Sequence, residues 1–107
     1  MKIAVPSTGK TLESFASSNF GRSPFIIIYD DETKKYNSFE NIGFKINDGS
    51  GLKAAEIIIF NKVNILLTKE IGRKAYSVLM AEHIDINILS LSCTVKSAIK
   101  KNIKKRS

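Results

Sequence analysis

The residues that promise chemistry first are Ala4-Val5-Pro6-Ser7-Thr8-Gly9-Lys10-Thr11, which end in the Gly-Lys-Thr of a phosphate-binding loop. The later run FIIIYDD (residues 25–31) offers an apolar strand with an acid of the kind that holds magnesium. Three features oppose a nucleotide hydrolase. The motif's first glycine turns the chain tightly after its strand, but Ala4 occupies that place, inside the predicted strand. Pro6 removes an amide that would cradle phosphate. The segment after Lys10 should open a helix with a buried face, yet Leu12, Phe15 and Ala16 run straight into Ser17-Ser18-Asn19. The Gly-Lys-Thr is read as loop.

Metal-capable side chains are few. Cys93 follows the last predicted strand and precedes a helix, whose N-terminal dipole favours thiolate. The plainer reading is a small buried filler. His83 ends a predicted helix, where a hydrogen-bonding or positive group suits the exposed carbonyls. One cysteine excludes an internal disulfide, fits a reducing cytoplasm, and leaves no Cys-x-x-Cys pair for zinc. No acid/base pair or activated nucleophile stands out, so an enzyme is not expected.

The elements that must position these groups follow from patterning. Residues 2–6 form a short buried strand and residues 25–30 a strong one, rich in isoleucine. After the turn at 31–35, residues 36–40 alternate as an exposed strand, making a hairpin. Residues 41–51 are a loop ending in Asp48-Gly49-Ser50-Gly51. Residues 50–62 form a helix apolar on most sides, hence largely buried. Residues 64–68 are a strand. Residues 70–83 are a helix with Ile71, Ala75, Val78 and Leu79 on one face, and Met80 is taken as core. Residues 85–91 are a strand. A last helix starts near Thr94, whose hydroxyl caps it, and buries Val95, Ala98, Ile99 and Ile103. This predicts one α/β domain over residues 1–107: three layers, a mixed five-stranded sheet with an antiparallel hairpin and parallel strands, and three helices. The first strand is central, beside residues 64–68.

Composition agrees with a globular domain: 107 residues, 43% hydrophobic and 25% charged. The N-terminal apolar stretch is too short for a signal peptide, and no run approaches the length of a membrane span. The net charge of +7 is local. Lys96, Lys100, Lys101, Lys104, Lys105 and Arg106 supply most of it; without them 11 basic residues face 10 acidic ones. That tail has no aromatic, so it reads as a solvated helix face, fraying from about residue 100, and not as a nucleic-acid reader.

Residues 12–36, LESFASSNFGRSPFIIIYDDETKKY, resemble the dinitrogenase iron–molybdenum cofactor family, which includes the NifX and NafY carriers and the C-terminal part of NifB. The opening MKIAVP, Leu12-Glu13-Ser14, Phe20-Gly21-Arg22-Ser23-Pro24-Phe25, the acidic turn from Asp30, LKAAEII (52–58), IGRKAYSVL (71–79) and Thr94-Val95 match its pattern in order. The resemblance implies a ribonuclease H-like fold. Nucleases of that fold need a cluster of carboxylates, one on the first strand; Ile3-Ala4-Val5 has none.

The family resemblance implies a non-catalytic, cytoplasmic carrier of an iron–sulfur or iron–molybdenum cluster or its precursor. Its implied partners are metallocofactor-assembly or acceptor proteins, with no nucleic acid or membrane, and the chain is a monomer or weak homodimer. The alternative is a regulatory or protein-interaction module of the same fold that binds another anion or only a protein. Many members have His where this chain has Asn19, and an amide is a poor iron ligand. Either a ligand has been lost, or both residues serve as hydrogen-bonders in the loop.

In an open α/β sheet, ligands sit beyond the carboxyl ends of the parallel strands. The expected cofactor-binding set is therefore Ser7, Asn19, Gly21, Arg22, Gly49, Ser50, Gly51, Thr68 and Cys93, with Cys93 the metal ligand. Arg22 and the amides at a helix N-terminus would face the anion. The glycines around Ser50 serve equally as a plain turn into a helix.

Overall fold

Strand β1 (Lys2–Ser7) lies at the centre of the sheet because its residues are apolar toward both faces. In the computed structural model of the chain, residues 1–45, 49–90 and 92–106 are described. The other elements are β2 (Phe25–Asp30), β3 (Lys35–Glu40), a 3-10 turn (Ile42–Lys45), α1 (Ser50–Phe60), β4 (Ile65–Thr68), α2 (Arg73–Ala81), β5 (Asp85–Ile88) and α3 (Val95–Arg106). The strands follow the order β3-β2-β1-β4-β5. β1 pairs antiparallel with β2 from Lys2↔Asp30 to Ser7↔Phe25, and parallel with β4 at Ile3↔Ile65 and Ala4↔Leu66. Pairing with β4 stops short of Pro6, which has no N–H to give. β5 extends the sheet parallel to β4. This is the mixed five-stranded, three-helix architecture expected from the sequence.

Alternation along the strands sorts the core into two layers. Ile3, Val5, Ile27, Ile65 and Leu67 face α3, which contributes Val95, Ala98 and Ile99. Ala4, Ile26, Ile28 and Leu66 face α1 and α2, with Ala54, Ala55, Ile58, Ala75 and Leu79. Phe20 packs in this second layer and is almost fully buried.

Several boundaries differ from the expectation. α2 starts at Arg73 and not at residue 70, since the Glu70 carbonyl instead accepts the Phe20 N–H at 3.2 Å. β5 stops at Ile88; of the three further residues expected in that strand, Leu91 lies outside the described ones. α1 is less buried than its composition suggests: only Ala54, Ala55 and Ile58 are fully buried, with Ile57 and Ile59 packed at the edge of the core. Phe60 is two residues from Ile58, about 200° around the helix, and is 85% exposed. The same geometry turns Met80 outward, one step from buried Leu79, against its expected core position. α3 continues to Arg106, with Asn102 buried and Ile103 packed on the core, so tertiary anchors extend past residue 100. No helix among the described residues is long and apolar enough to cross a membrane.

Candidate functional site

The turn Phe20-Gly21-Arg22-Ser23 connects the loop after β1 to β2. Phe20 is its apolar anchor. Asn19 organises the polar side: its Oδ1 accepts the Arg22 N–H at 3.0 Å, a local side chain-to-backbone bond that a short amide side chain makes well. Asn41 closes the turn from the far side. It is buried, and its Nδ2 donates to the Ser23 carbonyl at 2.9 Å and to the Gly21 and Phe20 carbonyls at 3.3 and 3.4 Å. Its Oδ1 accepts the Gly43 N–H at 3.2 Å. Reading of the sequence missed Asn41. The available signal was a polar residue directly after an amphipathic strand, and nothing local shows that such a residue is buried.

This turn lies on the start of α1. A Cβ placed on Gly21 would be 2.8 Å from both the Gly51 nitrogen and the Ser50 Oγ, so only glycine allows the approach. Gly49, the N-cap of α1, has φ +75° and lends no side-chain cap. α2 likewise begins from a glycine, Gly72, without a side-chain cap. Gly51 lies against Ala75, bringing the two helix starts together. Thus Asn19, Gly21, Arg22, Gly49, Ser50 and Gly51 form one cluster on the α1/α2 side of the sheet. Asp48, part of the expected turn, lies outside the described residues.

Ser7 and Thr68 sit where expected, at the ends of β1 and β4, but both are buried and engaged locally. The Ser7 hydroxyl donates to the Gly9 carbonyl at 2.7 Å, and Thr68 Oγ1 to that of Glu70 at 3.1 Å. The Gly-Lys-Thr stretch is irregular, as expected; Lys10 Nζ stands 5.6 Å from the centre of the Phe25 ring.

Cys93 belongs to the opposite side. It is half-buried against the α3 layer and lines a cavity of about 360 Å³ with Leu67, Ile88, Leu89, Ala98 and Asn102. The start of α3 beside it differs from the other two helices. The Val95 and Lys96 N–H groups donate to the Ser14 and Leu12 carbonyls, each at 2.9 Å, and the Ser97 N–H to Thr94 Oγ1 at 3.1 Å. Thr94 therefore caps the helix, and these amides are already engaged. The sheet separates Cys93 from the Asn19–Gly51 cluster, so the expected set divides into two. His83 adopts φ 60° just past α2, its N–H donating to the Met80 carbonyl at 3.0 Å; it ends the helix. Among the described residues, no three of His, Cys, Asp and Glu come together as a ligand set.

The motifs on this frame have a known counterpart. A family model described as dinitrogenase iron-molybdenum cofactor matches residues 1–105. The chain belongs to that family. Membership implies a role related to metallocofactor biosynthesis. Among solved structures, the apo form of the orange protein from Desulfovibrio gigas is 25% identical, with a TM-score of 0.92 over 98% of this chain and 88% of that one. A NifB-like protein from Thermotoga, assigned to the DUF35 family, is 30% identical, with a TM-score of 0.85 over 98% and 89%. Comparison with curated protein sequences finds no match. Asn19, where many family members carry His, bonds the Arg22 N–H here, while Gly21, which keeps the family's pattern, makes room for the start of α1.

Proposed function

We propose that this protein is a non-catalytic, cytoplasmic carrier that binds an iron–sulfur or iron–molybdenum cluster, or a precursor, and passes it to an assembly or acceptor protein. The observation that carries this reading is the close approach of Gly21 to the first residues of α1. It brings the Asn19–Arg22 turn onto two glycine-started helices without side-chain caps, and the positive ends of such helices attract an anion. An anionic cluster suits that chemistry. Cys93 supplies the soft ligand available elsewhere on the molecule, within its own cavity.

A second reading is supported by Asn19. Its Oδ1 holds the Arg22 N–H, a structural duty that leaves no need for a metal contact. On that reading the protein is a regulatory or protein-interaction module that binds another anion or a partner.

Anaerobic titration with iron–sulfur and iron–molybdenum clusters separates the two, with bound metal and visible absorption read after gel filtration. Stoichiometric metal on the wild type, lost in Cys93→Ala, supports a carrier with its ligand at Cys93. Metal that persists in Cys93→Ala but falls in Gly21→Ala moves the site to the glycine turn. A sharp gain of affinity in Asn19→His identifies a ligand position that this chain has lost. Folded protein that retains no cluster rules the carrier reading out.

A further inference from the structure

Helix α3 presents its basic residues as a ridge. Lys96, Lys100 and Lys104 recur every four residues, with Lys101 and Lys105 in a row beside them, all exposed. The helix contains no acidic residue. Like charges at this spacing oppose the helix that carries them. Among the described residues, no carboxylate forms an ion pair with Lys96, Lys100, Lys101 or Lys105. The ridge borders a shallow groove lined by Thr94, Lys96, Ser97, Lys100, Lys101 and Lys104. Phe15 makes an antiparallel bridge with Thr94, so the two side chains share a face at the end of that groove. Phe15 is 60% exposed.

We propose that this face docks an acidic surface of a partner protein, with the lysines steering the approach and Phe15 as the apolar anchor. Two other classes of polyanion fit less well. A membrane-surface helix lays its apolar stripe into the lipid, whereas Val95, Ala98 and Ile99 of α3 are buried on the sheet. Single-stranded nucleic acid is held by stacking successive bases on aromatic side chains, and this groove has one aromatic, at its end. The ridge also consists of lysines, compact point charges, and not the planar arginine forks that favour phosphate. The proposal goes beyond the carrier reading and does not depend on it: a cluster-free module would use the same face.

The test uses the full-length, isotope-labelled protein and an acidic peptide of alternating Glu and Ala with a central Leu, titrated at low and at physiological salt. An oligothymidylate of equal charge and phosphatidylserine vesicles are run in parallel. The peptide is expected to shift the amides of Phe15 and of residues 94–104. Affinity should fall about tenfold in Lys96→Gln/Lys100→Gln/Lys101→Gln and roughly threefold in Phe15→Ser. A control, Lys34→Gln/Lys35→Gln/Lys62→Gln, removes the same charge elsewhere and should bind as wild type. Thermal unfolding of each variant shows that the fold is kept; if the triple variant unfolds, the single Lys100→Gln replaces it. Equal loss in the control reduces the effect to net charge and overturns the proposal. So does tighter binding to the oligothymidylate or the vesicles, or no binding to the peptide.

Discussion

Gly21 packs its α-carbon against the backbone nitrogen of Gly51, so closely that a Cβ there would be 2.8 Å away. The neighbour is backbone inside the first turn of α1, which cannot swing aside as a flexible side chain would. Gly21→Ala is therefore expected to destabilise by about 1–3 kcal/mol through overpacking and to displace the Phe20–Ser23 turn. Chemical denaturation measures the first effect, and amide shifts at Ser50 and Gly51 the second. Wild-type stability in the variant would mean the turn yields freely.

Asn41 is the second tie of this turn. Its amide reaches three carbonyls and its oxygen one N–H, all in a buried setting. Asn41→Leu keeps the volume and takes this amide away from the Ser23 and Gly21 carbonyls and the Gly43 N–H, while the Phe20 carbonyl keeps the Ser23 hydroxyl; the loss should be about 1–3 kcal/mol, as for a buried polar group. We expect a lowered denaturation midpoint with an unchanged slope. A loss under about 0.5 kcal/mol would show that the carbonyls find water instead.

His83 holds a left-handed conformation that costs a side-chain-bearing residue about 1–2 kcal/mol. His83→Gly relieves this and should raise stability by about 0.5–1 kcal/mol. Cluster binding should not change. Reduced binding in a stabilised variant would make His83 a ligand, contrary to its place at the helix end.

Truncation after Asn102 removes Ile103, which packs on the α3 layer, together with a basic end. The fold should survive with a loss of about 1 kcal/mol, in keeping with one partly buried isoleucine. A fully unfolded product would show that the last turn is essential to the core.

The α-amino group of Met1 donates to Asp31 Oδ1 at 3.0 Å, and this bond holds its pKa above the ordinary value of 8.0. A raised folded pKa contributes stability that is complete below the unfolded pKa and fades as pH rises through the folded one. The small contribution of this exposed pair should therefore disappear on the alkaline side of pH 8.0. In Asp31→Asn, NMR titration should return the amine toward its ordinary range and the alkaline fall in stability should flatten. An unchanged titration would mean Asp31 is not the cause.

The architecture was legible in the sequence because its signals are local and periodic. FIIIYD must bury both faces, KYNSFE must leave one exposed, and the stripe Val95, Ala98, Ile99 can only be one side of a helix. Period does not mark the register of exposure for helices that cover a sheet from one side. Met80 was therefore misplaced, and α1 was expected to be more buried than it is, although Met80 and the exposed Phe60 each lie one or two steps from a residue that is buried. Thr94 as a cap was legible, since capping needs only neighbours in the chain.

For the site, the sequence alone determined the chemical inventory: one thiol, one imidazole, glycines in a turn, and a basic tail without aromatics. The ordered motifs from MKIAVP to Thr94-Val95 determined the family. Only the tertiary structure decided which of these groups meet. Residues at the ends of neighbouring strands look equivalent in sequence, but side chains and connecting helices go to opposite faces of the sheet. Hence Gly21 and Gly51, thirty residues apart in the chain, touch, while Cys93 packs with α3 on the far side. The burial of Asn41 and the pairing of Phe15 with Thr94 depend on contacts across the fold, where no local pattern records them.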